Sequence, residues 1–125
     1  MDKKTIAYWA FTGFLVLPFG GGGVMDLIQP DNVVEVFENL GYPLYLATIL
    51  GIAKLLGLLV VLAPGLPRLK EWAYAGFVID LIGAFLSHLF VGDGIAQLAP
   101  PIVVMVPVLL SWWLRPENRR LPSAA

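Results

Sequence analysis

The sequence predicts an all-α polytopic membrane protein: a four-transmembrane-helix bundle with both termini cytoplasmic and a short outer amphipathic helix between spans 1 and 2. Three observations predict it. The 125 residues are 58% hydrophobic and only 14% charged, far more apolar surface than one small soluble core can bury. Four windows, Ile6–Met25, Leu44–Ala63, Trp72–Val91 and Ile95–Leu114, are predominantly apolar; at about 1.5 Å rise per residue each is roughly 30 Å long and crosses a bilayer once. Lysine and arginine fall before the first window, between the second and third, and after the fourth, and are missing from the other two connections. By the positive-inside rule this puts both termini and the middle loop in the cytoplasm.

The first span, 6–25, follows Lys3 and Lys4. It is longer than a signal-peptide core and no A-x-A pattern closes it, so it is read as a retained helix. Pro18 and Gly20-Gly21-Gly22-Gly23 are expected to kink or unwind its outer end, where close helix contact or a ligand must satisfy the backbone. The connection Pro30–Gly41 reads as a short helix: Asn32 and Glu35 stand at capping-box spacing, Gly41 is placed to end it, and Val33, Val36, Phe37 and Leu40 share one face. It either lies on the outer membrane surface or lids the bundle.

Span 2, 44–63, and span 3, 72–91, are joined by Pro64–Glu71, a tight turn, and so form an antiparallel hairpin. Span 4, 95–114, carries Pro100, Pro101 and Pro107 and is expected to bend. Trp9, Trp72, Trp112 and Trp113 all fall at the cytoplasmic ends of the helices, as an interfacial belt. The four spans use nearly the whole chain, which is therefore one domain, residues 1–125, with no room for a soluble catalytic module.

The candidate site residues are the ionisable and polar groups inside this apolar frame: Lys54, Asp80, Ser87, His88, Asp93 and Asp26. A charge at the centre of a span costs roughly 2.5–3.5 kcal/mol on insertion scales, so it is retained for a partner or a task. Lys54 lies about 14 Å and Asp80 about 12 Å above the inner boundary, which predicts that they pair across the hairpin, as a structural clip or as a site. Helical phase puts Ala73, Gly76, Asp80, Ala84 and Ser87 on one face of span 3, and Ala47, Gly51, Lys54 and Leu58 on one face of span 2; both are expected to face inward. His88, the single histidine, lies near the outer mouth and can exchange protons with Asp93, with Asp26 or with water. Asp26, Asp31, Glu35, Glu38 and Asp93 give the outer face an acidic character with no basic residue to balance them.

Cysteine is absent, which excludes disulfides and thiol chemistry; with one histidine, a conventional zinc, copper or bis-histidine haem site is not expected. The glycine run lacks the strand–loop–helix setting of a phosphate loop.

The run Gly51-Ile52-Ala53-Lys54-Leu55-Leu56-Gly57, the run Pro67-Arg68-Leu69-Lys70-Glu71-Trp72-Ala73-Tyr74-Ala75-Gly76-Phe77, and Gly83-Ala84 with Ser87-His88 and Gly92-Asp93 resemble the DoxX-like family of small four-helix bacterial membrane proteins. The resemblance implies the fold and a place in the inner membrane of a bacterial cell. In the wider group it implies an association with quinone-linked sulfur oxidation and membrane oxidoreductase assemblies, and animal relatives include a receptor-assembly chaperone. It assigns no catalytic residue here, and Asp80 matches no family motif.

The leading expectation is a membrane accessory protein that binds a hydrophobic ligand, a quinone, isoprenoid or lipid, or that anchors a redox partner. Lys54 would then hydrogen-bond a carbonyl or headgroup oxygen, and Arg68, Lys70 and Arg115–Arg120 would face a soluble partner or anionic lipids. No cofactor is expected beyond such a bound quinone or lipid. The expected partners are membrane lipids, a hydrophobic small molecule, a second copy of the chain or a redox protein, and no nucleic acid. The alternatives are a membrane enzyme using Lys54, Asp80 and His88 on a lipid-soluble substrate, or a small proton-linked transporter through Lys54, Asp80, His88 and Asp93.

Overall fold

Apolar spans leave backbone polar groups no partner but their own helix, and every regular element in the computed structural model, which describes residues 2–121, is helical. The order is α1 (Lys3–Phe14), a π-helical segment (Val16–Gly21), α2 (Gly22–Ile28), α3 (Asp31–Leu40), α4 (Tyr45–Leu62), α5 (Pro67–Phe90), α6 (Ile95–Leu114) and a 3₁₀ turn (Glu117–Arg119). Four helical stretches are long and apolar enough to cross a membrane: Lys3–Ile28, Tyr45–Leu62, Pro67–Phe90 and Ile95–Leu114.

The Asp2 carboxylate accepts the Thr5 N–H at 2.8 Å and caps α1; this hydrogen bond holds its carboxyl below the usual range. Pro18 and the glycines do loosen the first span, and the form is a π-helical segment. Such a segment turns the residues after it away from the register of a regular helix. The first span accordingly changes neighbours along its length: α1 packs on α6, and α2 packs on α4. The α2–α4 contact is made backbone to backbone through glycine. A Cβ on Gly51 would stand 2.8 Å from the Gly23 carbonyl oxygen, and one on Gly23 would stand 2.9 Å from Leu55 Cγ. Without a hydrophobic force between helices in lipid, such close packing is what holds a pair together.

Gln29, in the left-handed region at φ 55°, ends α2, and extended Pro30 starts α3 by offering its carbonyl to Val33 and Val34. The Asn32–Glu35 capping box does not form, because two residues suffice to turn the chain and α3 begins at Asp31, before Asn32. Gly41, at φ 78°, ends α3 at the expected stop. Of the predicted apolar face, Phe37 is buried and Val36 is exposed.

The turn between α4 and α5 is shorter than Pro64–Glu71. Pro67 occupies the first turn of α5 with its φ already helical, so Arg68, Lys70 and Glu71 are helical and α5 runs to 24 residues. This corrects the reading of the basic residues there. Lys70 is buried, donating to the carbonyls of Val60, at 2.8 Å, and Ala63. Arg119 is also buried; it donates to the carbonyls of Val61 at 2.9 Å, Ala63 at 3.1 Å and Leu62 at 3.4 Å, and lies over Trp9. Two cations thus cap the orphan carbonyls at the C-terminal end of α4, where the helix dipole favours positive charge. Arg115 pairs with Glu71 at 2.6 Å, and Trp112 donates to the same carboxylate at 2.7 Å. Most of the expected basic docking surface is therefore internal bracing. Arg119→Met should lower stability by about 1–3 kcal/mol by leaving these carbonyls unpaired, measured as thermal unfolding in mild detergent, whereas Arg68→Met, at the start of α5, should not.

Leu15, Phe19, Leu58, Val61, Tyr74, Phe77, Leu81 and Val108 form the core. The Phe19 and Phe77 rings stack at 3.8 Å, and Gly57 leaves room for that ring, since a Cβ there would meet Phe77 at 2.8 Å. Beside it a buried hydroxyl chain ties three helices: Ser111 Oγ lies 2.6 Å from Thr12 Oγ1 and 2.7 Å from the Tyr74 hydroxyl.

Candidate functional site

A cavity of about 560 Å³ opens between α2, α3, α4 and α5. Asp26, Lys54, Asp80, Ser87 and His88 all line it, with Val36, Phe37 and Leu40 of α3 along one side and Leu46, Leu50, Ile79 and Phe90 among its apolar walls. Five of the six residues singled out in the sequence therefore meet in one space. The sixth, Asp93, lies just outside it and is joined through His88: Nδ1 and the Asp93 carboxylate are 2.6 Å apart. Asp93, His88, Glu35, Glu38, Asn39 and Gln97 line a second, polar pocket, which shares Val36 and His88 with the first.

Lys54 does not pair with Asp80. Its Nζ donates to the Asp26 carboxylate at 2.8 Å, and both side chains are mostly buried. Rise per residue places Lys54 and Asp80 along their helices, but it says nothing about rotation. The Gly23–Gly51 contact brings α2 against α4, and Lys54 Nζ lies 4.0 Å from where a Cβ on Gly22 would stand. The glycines clear the path by which the lysine reaches Asp26. Asp26 is accordingly buried rather than part of a solvated acidic face, and it does have a basic partner.

Asp80 makes no hydrogen bond and no ion pair among the described residues. The face of α5 that packs into the bundle is Lys70, Tyr74, Phe77 and Leu81, not the face of small residues expected. The aromatic ring of Phe77 and the Tyr74 hydroxyl have partners inside, and they set the rotation of α5. Asp80 and Ala84 are left at the border of the bundle, and Gly76 and Gly83 meet open space. On α4 the buried face is the expected one, with Ala47, Gly51 and Leu58 inside.

At the mouth, Ser87 Oγ and the Tyr42 hydroxyl are 2.5 Å apart, which ties α5 to the connection after α3. Sequence reasoning misses Tyr42. Its only signal is its place between Gly41 and Pro43, where the chain is held still enough to present a hydroxyl. A second groove of about 410 Å³ runs along the α4–α5 seam, lined by Ala53, Gly57, Ala73, Gly76, Phe77 and Trp72 among others. The two spaces share Leu50, Lys54, Ile79 and Asp80. The site is thus amphiphilic: charged at its middle, hydrogen-bonding at its mouth, and apolar along the seam.

An all-helical chain with four membrane-length apolar stretches and its ionisable groups gathered between them is a multi-pass membrane protein. The sequence profile of the DoxX-like family matches residues 10–111, and the chain belongs to that family. No curated protein and no solved structure matches it.

Proposed function

We propose that this protein is an inner-membrane accessory protein that binds a lipid-soluble molecule with a polar head, the class that includes quinones, isoprenoids and lipids, in the cavity beneath α3. The observation that carries this reading is the cavity itself. Its volume is within the range of small-molecule sites, and like them it combines apolar walls with a few convergent polar groups. Lys54 keeps two N–H donors beyond the one given to Asp26, Asp80 offers a carboxyl, and Tyr42, Ser87 and His88 stand at the entrance. Helix α3 serves as the lid, anchored by Phe37. With the termini in the cytoplasm, the cavity opens toward the outer leaflet, and its bound molecule is presented there to a redox protein or to a second copy of the chain.

The test is native mass spectrometry of the protein released from mild detergent, with the copurifying molecules identified. A Gly83→Leu variant serves as the cavity-filled control, since Gly83 lines the cavity and faces open space. A stoichiometric lipid-soluble molecule that is lost from the folded Gly83→Leu variant is the expected result. A ligand-free wild-type spectrum, or a ligand equally retained in Gly83→Leu, overturns the proposal.

A further inference from the structure

Two acid–base pairs line or close the cavity, and one further carboxyl lines it without a partner. Lys54 and Asp26 neutralise each other at 2.8 Å, and His88 and Asp93 are joined at 2.6 Å. The Asp80 carboxyl has no partner among the described residues, although it stands where the cavity and the α4–α5 seam meet. Its oxygens are not sealed in, so they are free to meet a ligand. No other lysine or arginine lines either space. The remaining carboxylates on the approach, Glu35 and Glu38, lie on α3 beside His88 and Asp93. The site and its approach therefore carry an excess of negative charge, set among apolar walls where opposite charges attract more strongly than in water.

Resting on the ligand-binding reading above, we infer that the occupant is a single-chain amphiphile with a cationic head, seated so that its positive charge meets Asp80 and its chain lies along the α4–α5 seam. The seam suits one slender chain. Its walls at Ala53, Gly57, Ala73 and Gly76 are nearly side-chain-free, its floor is Phe77, and it runs from Asp80 to Trp72, about 12 Å along α5. An anionic head would meet Lys54 only beside Asp26, which already balances its charge, and would face Asp80 as well. A neutral acceptor such as a carbonyl would satisfy Lys54 and leave Asp80 alone in an apolar setting, which a membrane site does not tolerate without cost.

The test is isothermal titration of the protein in nanodiscs with three chain-matched probes: dodecyltrimethylammonium, dodecanol and dodecyl sulfate. Wild type should bind the cation at least about tenfold more tightly than the alcohol, and Asp80→Asn, which keeps the shape, should lose that preference by at least about tenfold. Gly83→Leu and empty nanodiscs separate site binding from partition into lipid. Cation binding unchanged in Asp80→Asn, or equal binding of alcohol and cation, overturns the charge assignment while leaving a hydrophobic-ligand protein. Binding of none of the three above the empty-nanodisc level overturns both.

Discussion

Replacing Lys54 with methionine is expected to destabilise the bundle by about 3 kcal/mol, because it leaves Asp26 as an uncompensated charge in a mostly buried position. The partner decides what rescues it. Lys54→Met with Asp26→Leu removes both charges and should return stability to the wild-type level or above, as replacing a buried pair by apolar residues commonly does. Lys54→Met with Asp80→Leu should stay as unstable as the single variant. Asp80→Asn alone should unfold at the wild-type temperature. Thermal unfolding of the four variants in one detergent distinguishes a Lys54–Asp26 pair from a Lys54–Asp80 pair, and rescue by Asp80→Leu would reject the Lys54–Asp26 arrangement.

The second large effect is at Gly51. A single added methyl group would meet the Gly23 carbonyl oxygen at 2.8 Å, Leu27 Cγ at 2.9 Å and Asp26 Cβ at 3.1 Å. The first of these is backbone and cannot turn aside, so α2 must move off α4. Gly51→Ala is expected to cost about 1–3 kcal/mol and to weaken the Lys54–Asp26 pair with it. Gly76→Ala and Gly83→Ala are the controls: both glycines are helical and meet nothing within 4 Å, so alanine should be neutral or stabilising by up to about 1 kcal/mol. A Gly51→Ala protein as stable as these two would show that the α2–α4 contact is looser than the 2.8 Å approach implies.

How legible each feature is depends on which periodicities a sequence carries. Hydropathy and length give the four spans, because both quantities sum over many residues. His88 and Asp93 are legible as neighbours because only a few residues, Gly92 among them, separate them across one turn. Lys54 is legible as a residue that must have a partner, since its cost in an apolar span is independent of the fold. The identity of that partner is not, because it depends on helix rotation. The π-helical segment at Val16–Gly21 rotates Asp26, and the Phe19–Phe77 stack with the Tyr74 hydroxyl rotates Asp80; Pro18 and the glycines mark where the first helix loosens but not the angle that results, and the second influence has no local signature. Lys70 and Arg119 mislead for a related reason. Their acceptors are main-chain carbonyls at the end of α4, and carbonyls are present at every position of every sequence.

The bracing by Arg119 also bears on how the protein is made. Arg119 reaches Tyr8, 111 residues earlier, at 3.4 Å, as well as the end of α4. At roughly 5–20 residues per second the ribosome needs on the order of 6–20 s to travel between those two positions. The first span, Lys3–Ile28, is complete long before residue 119 is added, so it waits for the far end of its clasp. Closure of the bundle is therefore a late event in biosynthesis, and a nascent chain stalled before residue 119 is a set of inserted helices still open at one end.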